Sequence, residues 1–219
     1  MRHVFVETIR VYSYSAPAHH KELEAVDLLN RARSGDVRMH LPAICLTEAR
    51  RPIAVKCQPR READAIRRFR SRARAEQVIS PEQERLVREV LVRFEQQVRE
   101  ELSGLDTTLA SLRDVGGLEL FPLNEKMLLR AVELAALDLP LQPFDQAILA
   151  AVLVRAEELR DAGETDLCFC QNDADLQPWD KRGGPKQPLT KLYDAASLWV
   201  YQDFEMKTPE RPDRWGSVK

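Results

Sequence analysis

The sequence predicts an α/β protein, a three-layer sandwich around a mostly parallel central sheet, with a long helical arm. Three observations lead there. Short runs rich in β-branched and aromatic residues alternate with longer segments of helical periodicity. Runs such as VFV (4–6) and LCFC (167–170) are apolar at consecutive positions, the pattern of strands covered on both faces. The stretch 58–115 is helical and highly charged with no strand signal, so it reads as an insertion.

The elements follow in order. Residues 4–8 read as a short buried strand. Ala18–Arg33 has helical periodicity through Leu23, Val26, Leu28 and Leu29, and Gly35 is its stop signal. Val37–Leu41 reads as a second strand. Pro42 then opens a helix carrying Glu48, which Pro52 ends or kinks. Within the arm, Ser80 is an N-cap, Pro81 takes the first helical position and Gln83 the capping-box position. Leu86, Val90, Phe94, Val98, Leu102, Leu105, Leu109 and Leu112 recur three or four apart, giving one long helix or two broken near Gly104. That stripe packs on its own domain or meets a second copy in a homodimer. Gly116-Gly117 separates the arm from LELFPL (118–123), a strand. Asn124 caps a helix through Lys126–Leu137, and a further helix runs from FDQAIL to Gly163 after Pro140 and Pro143. DLCFCQND and LWVYQDF (198–204) are the last strands. A single domain thus covers 1–205, with the insertion at about 58–115 and a loose tail at 206–219.

Composition narrows the function. The 219 residues carry 33 basic and 35 acidic side chains, a net charge of −2, so only local clustering can argue for nucleic acid. Cys45, Cys57, Cys168 and Cys170 have no zinc-finger spacing and read as small core residues in a reducing compartment. There is no signal-peptide pattern and no apolar run long enough to span a bilayer, so the expectation is a cytoplasmic protein. No phosphate-cradling glycine loop and no Ser-His-Asp or Cys-His arrangement is present.

Four acids stand at element ends. Glu7 closes the first strand, Asp173 closes CFCQND, Asp145 lies in the first turn of an apolar helix, and Glu48 interrupts the small-residue context AICLTEA. Ligands of parallel sheets bind outside the carboxyl ends of the strands. If the acids converge there, their repulsion requires cations between them, and hard oxygen ligands suit Mg²⁺ or Mn²⁺.

On these residues the chain resembles the PIN-domain ribonucleases. That family opens with an apolar strand followed by Asp-Thr-Asn, matched here by FVETI. Its helical glutamate is matched by Glu48 in LTEAR. Its later helical aspartate is matched by Asp145 in FDQAILAAV, and its late Thr-x-Asp-like motif by CFCQNDADL. The resemblance covers residues 3–57 and 116–204. It implies a parallel sheet flanked by helices, an acidic cleft holding Mg²⁺ or Mn²⁺, and metal-assisted hydrolysis of RNA, as in toxins that pair with an antitoxin protein. Glu7, Glu48, Asp145 and Asp173 become the catalytic, metal-site candidates. Asp175 replaces or assists Asp173, and Thr8 supports the site through its hydroxyl. Positive charge should flank such a site, which nominates Arg10, Arg50 and Arg51 as RNA contacts. The arm's basic run from Arg60 and Arg61 to Arg74 and the loop KRGGPK (181–186) are further basic stretches. The chain departs from the pattern in three places. Glu7 is one methylene longer than aspartate, Ile9 replaces a polar residue, and Gln171 stands where Ser or Thr is common. These departures raise an alternative, a catalytically impaired PIN-like module that binds RNA or protein.

Overall fold

Val4, Phe5 and Val6 are wholly buried, and the strand they form, β1 (Arg2–Val6), is the centre of the sheet. The computed structural model describes residues 1–137, 139–180 and 184–206. After β1 come α1 (Thr8–Ser15), a short 3₁₀ turn (Ala18–His20), α2 (Leu23–Ser34), β2 (Val37–Pro42) and α3 (Ile44–Lys56). The arm follows as α4 (Arg60–Ala75), α5 (Pro81–Ser103) and α6 (Leu105–Ser111). Then come β3 (Leu118–Phe121), α7 (Glu125–Ala135), α8 (Pro143–Asp161), β4 (Leu167–Cys170), α9 (Leu189–Ala195) and β5 (Leu198–Tyr201). The C-terminal tail (207–219), Lys181 and Arg182 of the basic loop, and the Arg61 side chain lie outside the described residues.

The described strands form one sheet, wholly parallel, in the order β3-β2-β1-β4-β5. The chain builds outward from β1 through β2 to β3, then returns to add β4 on the other side. The direction of winding therefore reverses between β1 and β4, where the ladder sets Phe5 beside Phe169 and Val6 beside Cys170. The splayed loops at such a reversal leave a crevice at the carboxyl edge. Helices pack against the sheet as a three-layer arrangement requires: α2 meets β2 and β3, α8 meets β2 and β4, and α9 meets β5. Helix α8 is apolar almost all round because Ile148 through Val154 are buried, with α7 closing its outer side.

Several boundaries differ from the sequence reading. The first strand ends at Val6, not residue 8, because Glu7 caps α1: its Oε2 accepts the Ile9 N–H at 2.8 Å. The helix α1 itself is unexpected. TIRVYSYS is rich in β-branched and aromatic residues, and tertiary packing of Val11 against the core overrides that propensity. Pro42 ends β2 rather than opening a helix, and α3 continues through Pro52 to Lys56. The proline withdraws only the donor to the Glu48 carbonyl. The break at Gly104 is present, and the Ser80/Gln83 capping box forms with both hydrogen bonds (3.2 and 2.8 Å). The helix α9, unexpected after its proline-rich approach, begins directly after Pro188.

In the arm, α4 and α5 run back on each other, and α5 hands over to α6 on the main body. Among its described side chains, α4 buries only Ala63 and Ala73. Its contact is mostly electrostatic: Glu84 of α5 meets Arg70 and Arg74 at 3.9 and 3.0 Å, and Glu95 meets Arg67. The Ala18 N–H donates to Glu101 at 2.7 Å and the His19 ring sits edge-on to Phe94, fastening the 3₁₀ turn to α5. Among the described residues, no helix is long and apolar enough to cross a membrane.

Candidate functional site

Four chain segments bring carboxylates to the β1/β4 crevice. Glu7 follows β1, Glu48 lies one turn into α3, Asp145 is in the first turn of α8, and Asp173 follows β4 by three residues. They lie near enough to act on one another. Burial pushes the Glu7 carboxyl up to about 8; the Ile9 N–H opposes that shift, and the negative charges of Asp173, Glu48 and Asp145 add to it. Asp145 is also raised, by partial burial and then by Glu48 and Asp173, with Asp175 adding a smaller push and the Gln142 backbone opposing. Glu7, Glu48, Asp145 and Asp173, with Asp175, thus lie within electrostatic reach of one another at this edge of the sheet.

Each acid has a local anchor. Glu48 Oε2 accepts the Thr8 hydroxyl, so the supporting role expected for Thr8 has a geometric counterpart. Asp173 Oδ1 accepts the Asp175 N–H at 2.8 Å, an Asx turn that fixes the loop after β4. Glu7 spends Oε2 on the Ile9 N–H, so the polar support missing from the Ile9 side chain comes from its backbone. The second oxygen, Oε1, is buried with no hydrogen-bond partner among the described residues.

Gln171 shares that condition. It continues β4 on the same face as Phe169, next to the position where Glu7 continues β1 past Phe5. Its side chain is wholly buried, and neither Oε1 nor Nε2 has a partner among the described residues. Gln177, whose Nε2 donates to the Gln171 carbonyl at 3.2 Å, likewise leaves Oε1 unpaired. Each such atom costs about 1–3 kcal/mol in a protein interior, and here they cluster on three neighbouring residues of the crevice. Sequence reasoning marked Gln171 only as a departure from a pattern and passed over Gln177. The available signal was the abrupt end of the apolar run LCFC at a carboxamide.

The fit to a divalent cation can be judged from this geometry. The donors are oxygens, as hard cations require. The repulsion that adds to the burial shift of Glu7 and Asp145 is what a cation would relieve, and Glu7 Oε1, without a partner among the described residues, is a candidate ligand. Against this, among the described residues no three His, Cys, Asp or Glu side chains stand close enough to hold a metal ion. Glu7, Glu48 and Asp173 are each turned to the local donor named above. The donor set fits in kind, and binding requires those side chains to turn inward.

The expected RNA contacts fare differently. Arg10 is 3% exposed, with its guanidinium over the rings of Tyr14 and Phe204 (5.5 and 5.8 Å from the centroids). Burial lowers it to about 10. It is an interior cation and does not offer its charge to a phosphate. Arg50 is exposed but held by Asp106 of α6 through two hydrogen bonds of 2.6 and 2.9 Å. Arg51 is exposed and has no ion-pair partner among the described residues. Cys45 lies under Thr8, wholly buried, and burial pushes its thiol well up, which leaves it inert as a nucleophile. The histidines of the sheet belong to another feature. His3 Nδ1 and His40 Nε2 are 2.9 Å apart, His3 reaches Glu164 at 3.2 Å, and His40 reaches Glu119 at 2.9 Å, which in turn pairs with Arg155.

Comparison with known proteins finds no match: no family model, no curated protein and no solved structure is similar to this chain.

Proposed function

We propose that the chain is a PIN-type ribonuclease, hydrolysing RNA phosphodiester bonds with Mg²⁺ or Mn²⁺ at the β1/β4 crevice. One observation carries the reading: acids from four separated segments act on one another at the point where strand order reverses. Glu7, Glu48, Asp145, Asp173 and Asp175 are the residues that would hold the cation. When bound, it supplies Lewis acidity toward the phosphoryl oxygens and lowers the pKa of coordinated water. The chain's own residues do the rest. Thr8 holds Glu48 in place, the Ile9 N–H holds Glu7, and the Asx turn at Asp173 sets the approach of the last acid. Burial raises the Glu7 carboxyl to about 8, so Glu7 is the acid that a bound cation would have to keep ionised. On the PIN reading, a role as toxin to an antitoxin protein follows from the resemblance alone.

RNA cleavage is measured with Mg²⁺ or Mn²⁺ for the wild type, Asp145→Asn and Glu48→Gln. Each variant is expected to lose at least about a hundredfold in rate, in line with losing one charge-stabilising group. Equal rates in all three would exclude the mechanism.

A second reading has its own support. Glu7 caps α1, and the acids are turned to local donors, as in a PIN-like module that binds RNA or protein without cleaving. Calorimetric titration with Mn²⁺ separates the two, since heat of binding that disappears in Asp145→Asn belongs to the nuclease alone.

A further inference from the structure

The loop after Asp173 builds a cavity beside the acid cluster, with Asp175 at the boundary between them. Residues 178–180 pair with residues 184–186. Trp179 bridges to Pro185, the Lys186 N–H donates to the Pro178 carbonyl at 2.7 Å, and the Asp180 N–H donates to the Gly184 carbonyl at 2.8 Å. Helix α9 holds this fold from below: the Thr190 hydroxyl donates to the Pro178 carbonyl at 3.0 Å and the Tyr193 hydroxyl to the Leu176 carbonyl at 2.8 Å. Between this fold and the turn at 174–176 lies a space of about 280 Å³, with Asp175, Gln177, Trp179, Asp180, Lys186 and Gln202 on its walls.

We propose that this cavity is a nucleobase subsite, taking one unstacked base of single-stranded RNA whose neighbouring phosphate lies at the acid cluster. The proposal rests on the nuclease reading for the second half of that statement only. Four features point to a base. The wall carries the broad indole of Trp179, half-buried on backbone bridged to Pro185, and unstacked bases are held on such rings. The polar groups on the walls are of the kinds that read base edges: two carboxamides, two carboxylates and an ammonium. The Lys186 ammonium is already positioned, donating to the Ala174 carbonyl at 2.8 Å. The residue Gln177 is 5% exposed, with Nε2 spent on the Gln171 carbonyl and Oε1 lacking a partner among the described residues.

The cavity also joins the crevice directly. Asp175 belongs to both, and the Gln177–Gln171 hydrogen bond ties its floor to the end of β4. Two acceptors, Gln177 Oε1 and the Asp175 carboxylate, match an edge with two adjacent N–H donors, and the ammonium matches a carbonyl beside them. Guanine presents that edge, so guanine is the expected base.

The test is equilibrium binding of four homotetrameric RNAs to the full chain in EDTA, where no cleavage intervenes. The guanine tetramer is expected to bind best, and Trp179→Ala to weaken it about tenfold, within the range for loss of one stacked base. Gln202→Ala guards against misfolding, because this side chain is exposed; it is expected to reduce the difference between guanine and the other bases. Equal binding of all four RNAs, or unchanged discrimination in both variants, overturns the subsite. Base-selective binding that depends on Trp179, in a protein that cleaves nothing with Mn²⁺, upholds the subsite and sinks the nuclease reading. Cleavage without base selectivity does the reverse.

Discussion

Glu7 shows how one residue serves fold and site together. As N-cap it begins α1, and as a buried acid among three others it holds a proton up to about pH 8 instead of the usual 4.5. In the unfolded chain that proton leaves above about pH 4.5. Between the two values the folded state binds more protons, so stability of the cation-free protein falls as pH rises through that window. A divalent cation that keeps Glu7 ionised removes the slope. Urea denaturation near pH 5 and near pH 8, with and without Mn²⁺, checks this; a cation-independent slope would place Glu7 outside the metal site. Gln171 makes a companion case. Replacing a buried carboxamide that has no partner among the described residues with Leu is expected to raise the melting temperature of the cation-free protein by several degrees, because a desolvation cost of about 1–3 kcal/mol disappears. The shift produced by Mn²⁺ is expected to shrink. A variant that melts lower and keeps its full Mn²⁺ shift would give Gln171 a purely structural role.

Among the elements, the connection from the arm into β3 is the most constrained. Gly117 has φ +76°, and a Cβ there would sit 2.0 Å from the Ala32 carbonyl oxygen of α2. Gly117→Ala is therefore expected to destabilise by about 3 kcal/mol or more, through backbone strain and a clash that backbone atoms cannot relieve cheaply. Chemical denaturation measures it, and a loss below about 1 kcal/mol would mean that α2 and β3 are free to separate. The arm shows a different economy. The contacts of α4 with α5 include ion pairs of Arg67, Arg70 and Arg74 with the largely covered carboxylates of Glu84 and Glu95, while Phe69, Leu86 and Val90 remain exposed. In the sequence the arm's run from Arg60 to Arg74 stands out as a basic stretch. Pairing of Arg67, Arg70 and Arg74 with Glu84 and Glu95 takes up part of that charge.

For the whole molecule, the parallel sheet puts the site where distant segments end, so Glu7 and Asp173 are neighbours through β1–β4 pairing while 166 residues apart. The arm stands outside this framework, joined through α6, Glu101 and Phe94. If its apolar stripe joins two copies, light scattering on the full chain reports a dimer, and Phe69→Glu with Val90→Glu returns it to monomer without lowering the melting temperature of the body. A monomeric wild type assigns the stripe to packing within the chain.

The alternation of apolar runs and helical periods was enough by itself to determine the α/β class, most strands, the capping box at Ser80 and the break at Gly104. Those features depend on residues close together in the chain. Local pattern could not reveal α1, whose β-prone residues become helical only with Glu7 as cap and the core to pack against. Nor could it show that Arg10 turns inward or that Asp106 holds Arg50, since both depend on partners brought near by folding. Acids at element ends were visible in the sequence. Their meeting was decided by strand order, because only pairing β4 against β1 places the two carboxyl ends side by side.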